Sequence, residues 1–441
     1  MPKVPVDASI ADEGRWMHAL ATELFPITRS ITGAGVRQTL SRIAELLPGL
    51  VIHEVPSGTE VLDWTVPREW EINEARLTGP TGEVIADLTN SNIHVLNYSS
   101  GVDTRIELSE LQEHLHSLPN MPQAIPYVTS YYADNWGFCI TDEARQALGE
   151  GSYHAFIDSR HVEGSLTYGE LLIPGESAQE ILISTYVCHP SLGNNELSGP
   201  VVTVALARWL MQQESLRFSY RIVFAPETIG AITYIATHRD RLSDRTLGGI
   251  NLTCIGDDGD WSYLASREGN HPLDRIAKRV VQRFAQPKVY SYLDRGSDER
   301  HYGMPGVDVP MISLMRTKYG AYPEYHTSLD DLSVITPSGL EGGLDLVRQT
   351  IKELESSRYF VTTVLGEPQL GKRGLYHRTH ARTVSDVILA RTHVLAYSDG
   401  QHSIEDLAEL LDLPDTAVDE LVSELLEHGL LTETLPLKRA L

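Results

Sequence analysis

Five stretches of this chain carry polar residues of kinds that a packed core has no use for. His189, Asn194, Asn195 and Glu196 lie in CHPSLGNNELSGP, directly after the apolar run ILISTYV. Glu227 follows YRIVF through Ala225-Pro226, and Asp257-Asp258 follow GINLTCI. Residues 297–301 read SDERH, and residues 322–331 read YPEYHTSLDD with His326 at their centre. Together these types suggest metal-assisted hydrolysis. Zinc takes imidazole nitrogen and carboxylate oxygen and keeps one position open for water, and that water needs a nearby carboxylate to take its proton. A histidine followed by an amide and a carboxylate six and seven positions on is a usable ligand set. Glu227, after a proline at the opening of a helix, is placed to be the base, partly desolvated and with its pKa pushed upward. Taken singly, Glu227 equally fits a carboxylate answering a helix dipole, His326 a loop histidine, and Asp330 and Asp331 helix caps.

Elements that would position these loops are legible around them. Apolar runs at 181–187, 220–224, 249–255 and 310–314 read as strands, and periodic stretches at 202–213, 232–242, 273–284 and 340–354 as helices. Their alternation predicts an α/β fold with a largely parallel sheet, whose strand carboxyl ends collect the ligand-binding loops. Helices are expected at 13–24 and from near Gly33 to Pro48, with a strand at 50–55. From 65 to 126 short alternating stretches broken by GPTGE and TNSN predict an inserted small β-rich domain, with a short helix at 106–115. The core would then comprise 1–64 and 127–370, including strands at 154–157 and 164–173. Tyr131, Tyr132, Trp136 and Phe138 are expected in core packing. Residues 375–441 predict a winged-helix-like domain, with Leu413-Pro414-Asp415 as its helix-turn-helix step.

Composition excludes several partners. The 441 residues carry a formal net charge of −24, against nucleic acid or an anionic membrane as a main partner. The segment DTAVDELVSELLEHG is acidic where a groove-reading helix would be basic, so the C-terminal domain is expected to meet a protein partner or a second copy. Cys139, Cys188 and Cys254 make no disulfide framework. No apolar run reaches the length of a membrane span, and the first residues lack a signal-peptide core; a cytoplasmic protein is expected.

The order His189…Asn195-Glu196-Leu197-Ser198-Gly199, Glu227-Thr228-Ile229-Gly230, Asn251-Leu252-Thr253, Tyr325-His326-Thr327-Ser328-Leu329-Asp330 resembles the zinc aminopeptidases of the M28 type. It is most similar to a bacterial branch with an inserted domain and a C-terminal winged helix. The resemblance implies a phosphorylase/hydrolase-like α/β core, His189 and His326 as metal ligands, and Glu227 as general base. It places Asn195 where the family has a bridging aspartate, Thr228 where it has a ligand glutamate, and Thr253 where it has a ligand aspartate. Two cations need several anionic oxygens between them, so a single Zn²⁺ held by His189, His326 and Asn195 is expected. The pocket lining implied is Asp298 or Glu299 toward a substrate ammonium and Arg300 toward a carboxylate, with His301, Arg316 and Tyr325 beside them. The activity expected is metal-dependent hydrolysis of an amide bond, aminopeptidase-like, on a small peptide or aminoacyl conjugate. A deacylase of an amino sugar or biosynthetic intermediate, and a degenerate peptidase serving as a binding module, are the alternatives.

Overall fold

A computed structural model describes residues 12–376 and 386–436. The chain divides into two compact units, 1–267 with 281–348, and 268–280 with 349–441. The larger is built on an eight-stranded sheet: β1 (Val51–Pro56), β2 (Ser165–Ile173), β3 (Glu180–Tyr186), β4 (Ser219–Ala225), β5 (Thr246–Leu252), β6 (Trp261–Leu264), β7 (Pro287–Tyr290) and β8 (Met311–Met315). Their spatial order is β1-β2-β4-β3-β5-β8-β6-β7. The four middle strands, β4, β3, β5 and β8, are mutually parallel. β1 and β2 join antiparallel on one side, and β6 joins antiparallel on the other.

Every residue of β3, β4 and β5 is buried, as parallel strands covered on both faces must be. Helix α1 (Ser198–Leu210) is apolar nearly all round and correspondingly sunk in the core. Its first turn lies so close to the sheet that a Cβ on Gly199 would stand 2.5 Å from both Leu252 O and Thr185 Oγ1. A π-helical turn, Gly193–Leu197, precedes it. Because the middle strands run the same way, the residues after Tyr186, Ala225, Leu252 and Met315 gather at one edge.

A second, antiparallel sheet of the same unit orders Val84–Asp87, Glu69–Thr78, Ser152–Val162 and Val102–Glu107. This corrects the boundary expected at 126, because Ser152–Val162 belongs to the inserted sheet and not to the core sheet. Its burial alternates, with Tyr153, Ala155 and Ile157 packed on Ala75, Leu77 and Phe138, and alternation alone does not say which antiparallel partner a strand takes. The helix expected at 106–115 is shorter, Leu108–Leu111, with the preceding residues in the strand. Of the four clustered aromatics Phe138 is buried, whereas Tyr132 is 53% exposed.

In the smaller unit, Tyr359–Thr362 is the central strand of a three-stranded antiparallel sheet with Asp399–Ser403 and Leu431–Thr434. Helices Asp386–Tyr397, Ile404–Leu411 and Asp415–Glu427 complete it around Phe360, Leu407, Val418, Val422 and Leu425. The unit therefore takes in a strand ahead of the start expected at 375. Among the described residues no helix is long and apolar enough to cross a membrane.

Candidate functional site

His189 follows the end of β3 and is held by Glu196. Glu196 Oε2 accepts from the His189 backbone N–H at 3.0 Å and lies 3.1 Å from Nδ1. Placing the proton on Nδ1 leaves Nε2 with a free lone pair, the usual device by which a carboxylate orients a ligating imidazole. Burial lowers the His189 pKa, but the hydrogen bond and charge of Glu196 and the charge of Glu227 raise it more. The other oxygen of Glu196 is 3.1 Å from Nε of Arg29, and both side chains are fully buried. Arg29 also donates to the carbonyls of Leu24, His189 and Pro190. Burial pulls its pKa down, against the pull of Glu196.

Glu227 comes from the end of β4. Its Oε2 is 3.6 Å from His189 Nε2, and 22% of its side-chain surface remains open. Oε1 accepts from Ser297 Oγ at 3.0 Å, and the backbone N–H donates to Cys188 Sγ. Burial pushes the Glu227 pKa up, offset in part by His189, Ser297 and Arg300. The next residue, Thr228, has φ 64° and ψ −82°, and Ile229 N–H donates to Glu227 O at 2.8 Å. That is a γ-turn of the rare, strained kind, adopted by a β-branched residue. Strain of this sort persists only where the surroundings enforce it; here it aims Glu227 as helix Ile229–Arg245 begins.

His326 also has a positive φ, 57°. Its ring lies flat on Tyr325, with centroids 3.9 Å apart at 13°, and is 5.7 Å from the His189 ring. Burial and the neighbouring His189 push its pKa down to about 3, so it is neutral. Its Nε2 is buried with no hydrogen-bond partner, and so is Oδ1 of Asn195. Asn195 is otherwise fully engaged: Nδ2 donates to Tyr186 and the backbone N–H to Asp330. Orphaned buried acceptors cost about 1–3 kcal/mol each unless something fills them. His326 Nε2 and Asn195 Oδ1, with lone pairs unspent, are donors of a kind that zinc takes, and so is His189 Nε2 once it is deprotonated. Cys188, His189 and Glu196 also offer ligand atoms within 4.8 Å of one another. Of these, Glu196 is engaged by His189 and Arg29, and Cys188 is a buried thiol that a bound metal would have to deprotonate.

The residues expected to line the substrate pocket separate into two groups. Glu299 is fully buried and spent: Oε1 accepts from the Gly296 and Ser297 N–H groups and Tyr319 O–H, and Oε2 from Asn251 and Ser313. Arg316 is equally committed, donating to the carbonyls of Asp260, Gly339 and Gly259 over the face of Trp261. Both are corrections, since these two brace loops and do not face a ligand. Glu299→Ala is expected to lower stability by about 3 kcal/mol or more, as it strands several buried donors; urea denaturation measures it. Asp298 is buried and accepts the Thr228 N–H at 2.8 Å. Burial and the charge of Glu227 raise its pKa well above the usual carboxylate range. Arg300, His301 and Tyr325 are half-buried beside Glu227 and His326.

Sequence reasoning missed Arg29, which sits in an unpatterned loop between two helices, and gave no role to Ser297, the first residue of the 297–301 stretch already singled out. It also missed Tyr127, whose ring lies 5.0 Å from His189 and 5.3 Å from His326, and whose hydroxyl meets that of Tyr131 at 2.9 Å.

Residues 18–357 match the family described as Domain of unknown function (DUF4910). The chain belongs to this family. Residues 358–433 match a winged helix-turn-helix family. Over 403 residues the DUF4910 chain is 41% identical to a Clostridium acetobutylicum protein, covering 90% of this chain and 92% of that one. That protein is provisionally named for polysaccharide biosynthesis with an aminopeptidase-like domain. A crystal structure of a provisionally named peptidase from the same organism superposes with a TM-score of 0.80 at 38% identity, covering 96% of both chains. The zinc aminopeptidase of Bacillus subtilis superposes at 0.57 and 12% identity, covering 80% of this chain and 96% of its own. At that identity it shows the fold alone: the DUF4910 core has an aminopeptidase-like α/β fold.

Proposed function

We propose that this chain is a metal-dependent amide hydrolase of aminopeptidase-like architecture, acting on a small peptide or conjugate. The observation that carries it is Glu227 Oε2 at 3.6 Å from Nε2 of His189, with the His326 ring 5.7 Å from that of His189 and with His326 Nε2 and Asn195 Oδ1 both buried and without a partner. His189, His326 and Asn195 would hold one Zn²⁺, which when bound supplies Lewis-acid polarisation of the scissile carbonyl. Glu227 takes a proton from water at Oε2 as the oxygen adds to the carbonyl carbon. As the C–N bond breaks, it returns that proton to the departing nitrogen. Ser297 fixes the carboxylate through Oε1, Glu196 keeps His189 in the Nδ1–H tautomer, and the rings of Tyr127 and Tyr325 wall off water. The names of the related proteins support this reading, and the word polysaccharide in one of them favours a second: removal of an acyl group from an amino sugar.

Purified protein is expected to contain about one zinc per chain by elemental analysis, and His326→Ala well under half of that. Chelation should lower the melting temperature, since a ligand at 100 times its Kd stabilises by about 2.7 kcal/mol. Absence of zinc, and a melting temperature unmoved by zinc addition, would sink the metal assignment. For the winged-helix unit we propose a protein partner: helix Asp415–Glu427 carries five acidic residues and no basic one.

A further inference from the structure

Beside Glu227 one charged side chain makes no direct ion pair. Arg300 donates from Nη2 to Thr228 Oγ1 at 2.7 Å and from Nε to His301 Nε2 at 3.1 Å. Both acceptors are neutral; burial and the arginine's own charge push the His301 pKa down to about 4. Among the described residues no carboxylate lies within 4.0 Å of the guanidinium. Its charge is nonetheless felt by Glu227, Asp298 and Tyr325, which places it at the catalytic edge.

The carboxylates that might have met a cation there are taken. Glu299 accepts five hydrogen bonds. Asp298 is 1% exposed and gives an oxygen to a backbone N–H. Glu227 is occupied as the base. An ammonium group would stand beside Arg300 and meet its like charge. An anion, in contrast, would find a half-buried guanidinium with an unused edge, suited to bidentate pairing. Tyr325 is near enough to feel the charge of Arg300, and its hydroxyl makes no hydrogen bond among the described residues. A half-buried cation with no carboxylate in contact is under-compensated, and a substrate anion in contact supplies what is missing.

We propose that the substrate carries a carboxylate, bound by Arg300 with Tyr325, and that the site selects against a free ammonium at that place. This rests on the hydrolase reading only for the choice of amide probes. The test uses three anilides of similar length on the full zinc-loaded chain: succinanilic acid (anionic), butyranilide (neutral) and β-alanyl anilide (cationic). Binding by calorimetry is expected to favour the anionic probe about tenfold or more over the other two. Arg300→Gln should erase that preference and Arg300→Lys should restore part of it, while Glu227→Gln should keep it. The proposal is overturned if wild-type protein binds the three alike, prefers the cation, or binds none, or if the preference survives in Arg300→Gln. Anion preference that depends on Arg300 without any anilide hydrolysis would instead remove the hydrolase reading and leave the binding site standing.

Discussion

Glu227→Gln is expected to lower kcat on any amide substrate by about 10²–10⁴-fold, the usual contribution of a positioned general base, with KM and zinc content nearly unchanged. Glutamine keeps the side chain's volume, and its amide oxygen can still accept from Ser297 Oγ, so neither the γ-turn at Thr228 nor the packing against Cys188 is disturbed. What is lost is the carboxylate, 3.6 Å from His189 Nε2, that can take a proton and give it back. The upward push on the Glu227 pKa from burial matters here, because a base whose pKa lies nearer the working pH is both ionised and strong enough to act. Steady-state kinetics on purified wild type and variant, with melting curves as the control for folding, decide it. Residual activity within about threefold of wild type would remove Glu227 from the mechanism and return it to the role of a helix-terminal carboxylate.

The convergence of His189 and Glu227 was legible because a parallel sheet leaves little freedom: residues just past the ends of β3 and β4 must share an edge. His326 was legible by the same logic one loop later. Glu299 and Arg316 were misread for a reason that applies to any strand-end loop. A polar residue there looks the same in sequence whether it satisfies backbone groups or faces a ligand, and only an account of its hydrogen bonds separates the two. Five donors on Glu299 and three carbonyls around Arg316 settle those cases, whereas Arg300 and Tyr325 keep polar surface unspent. Arg29 was invisible because its partners, Glu196 and the carbonyls of His189 and Pro190, lie some 160 residues downstream. No periodicity marks such a residue, and its environment exists only once the fold has formed. The strand Ser152–Val162 shows the same limit at the level of elements, since a strand at 154–157 is legible in the sequence but the sheet it joins is not.

Arg29→Met should be the most damaging single change to stability near the site, about 3–5 kcal/mol, because it leaves Glu196 as a buried charge with no counter-ion. Both side chains of the pair are wholly inaccessible, so water cannot take the guanidinium's place, and the carbonyls of Leu24, His189 and Pro190 lose their donors as well. The pair itself need not be a large net source of stability, since burying two ions costs much of what their attraction returns. The double variant Arg29→Met with Glu196→Leu is therefore expected to recover a substantial part of the lost stability in urea denaturation. Activity should not recover with it. Glu196 also holds His189 through the backbone N–H and Nδ1, and without that hold the imidazole is free to adopt the other tautomer and turn Nε2 away from Glu227. If stability and activity return together in the double variant, the orienting role of Glu196 is wrong; if neither returns, the cost of Arg29→Met lies in the carbonyls and not in the stranded charge.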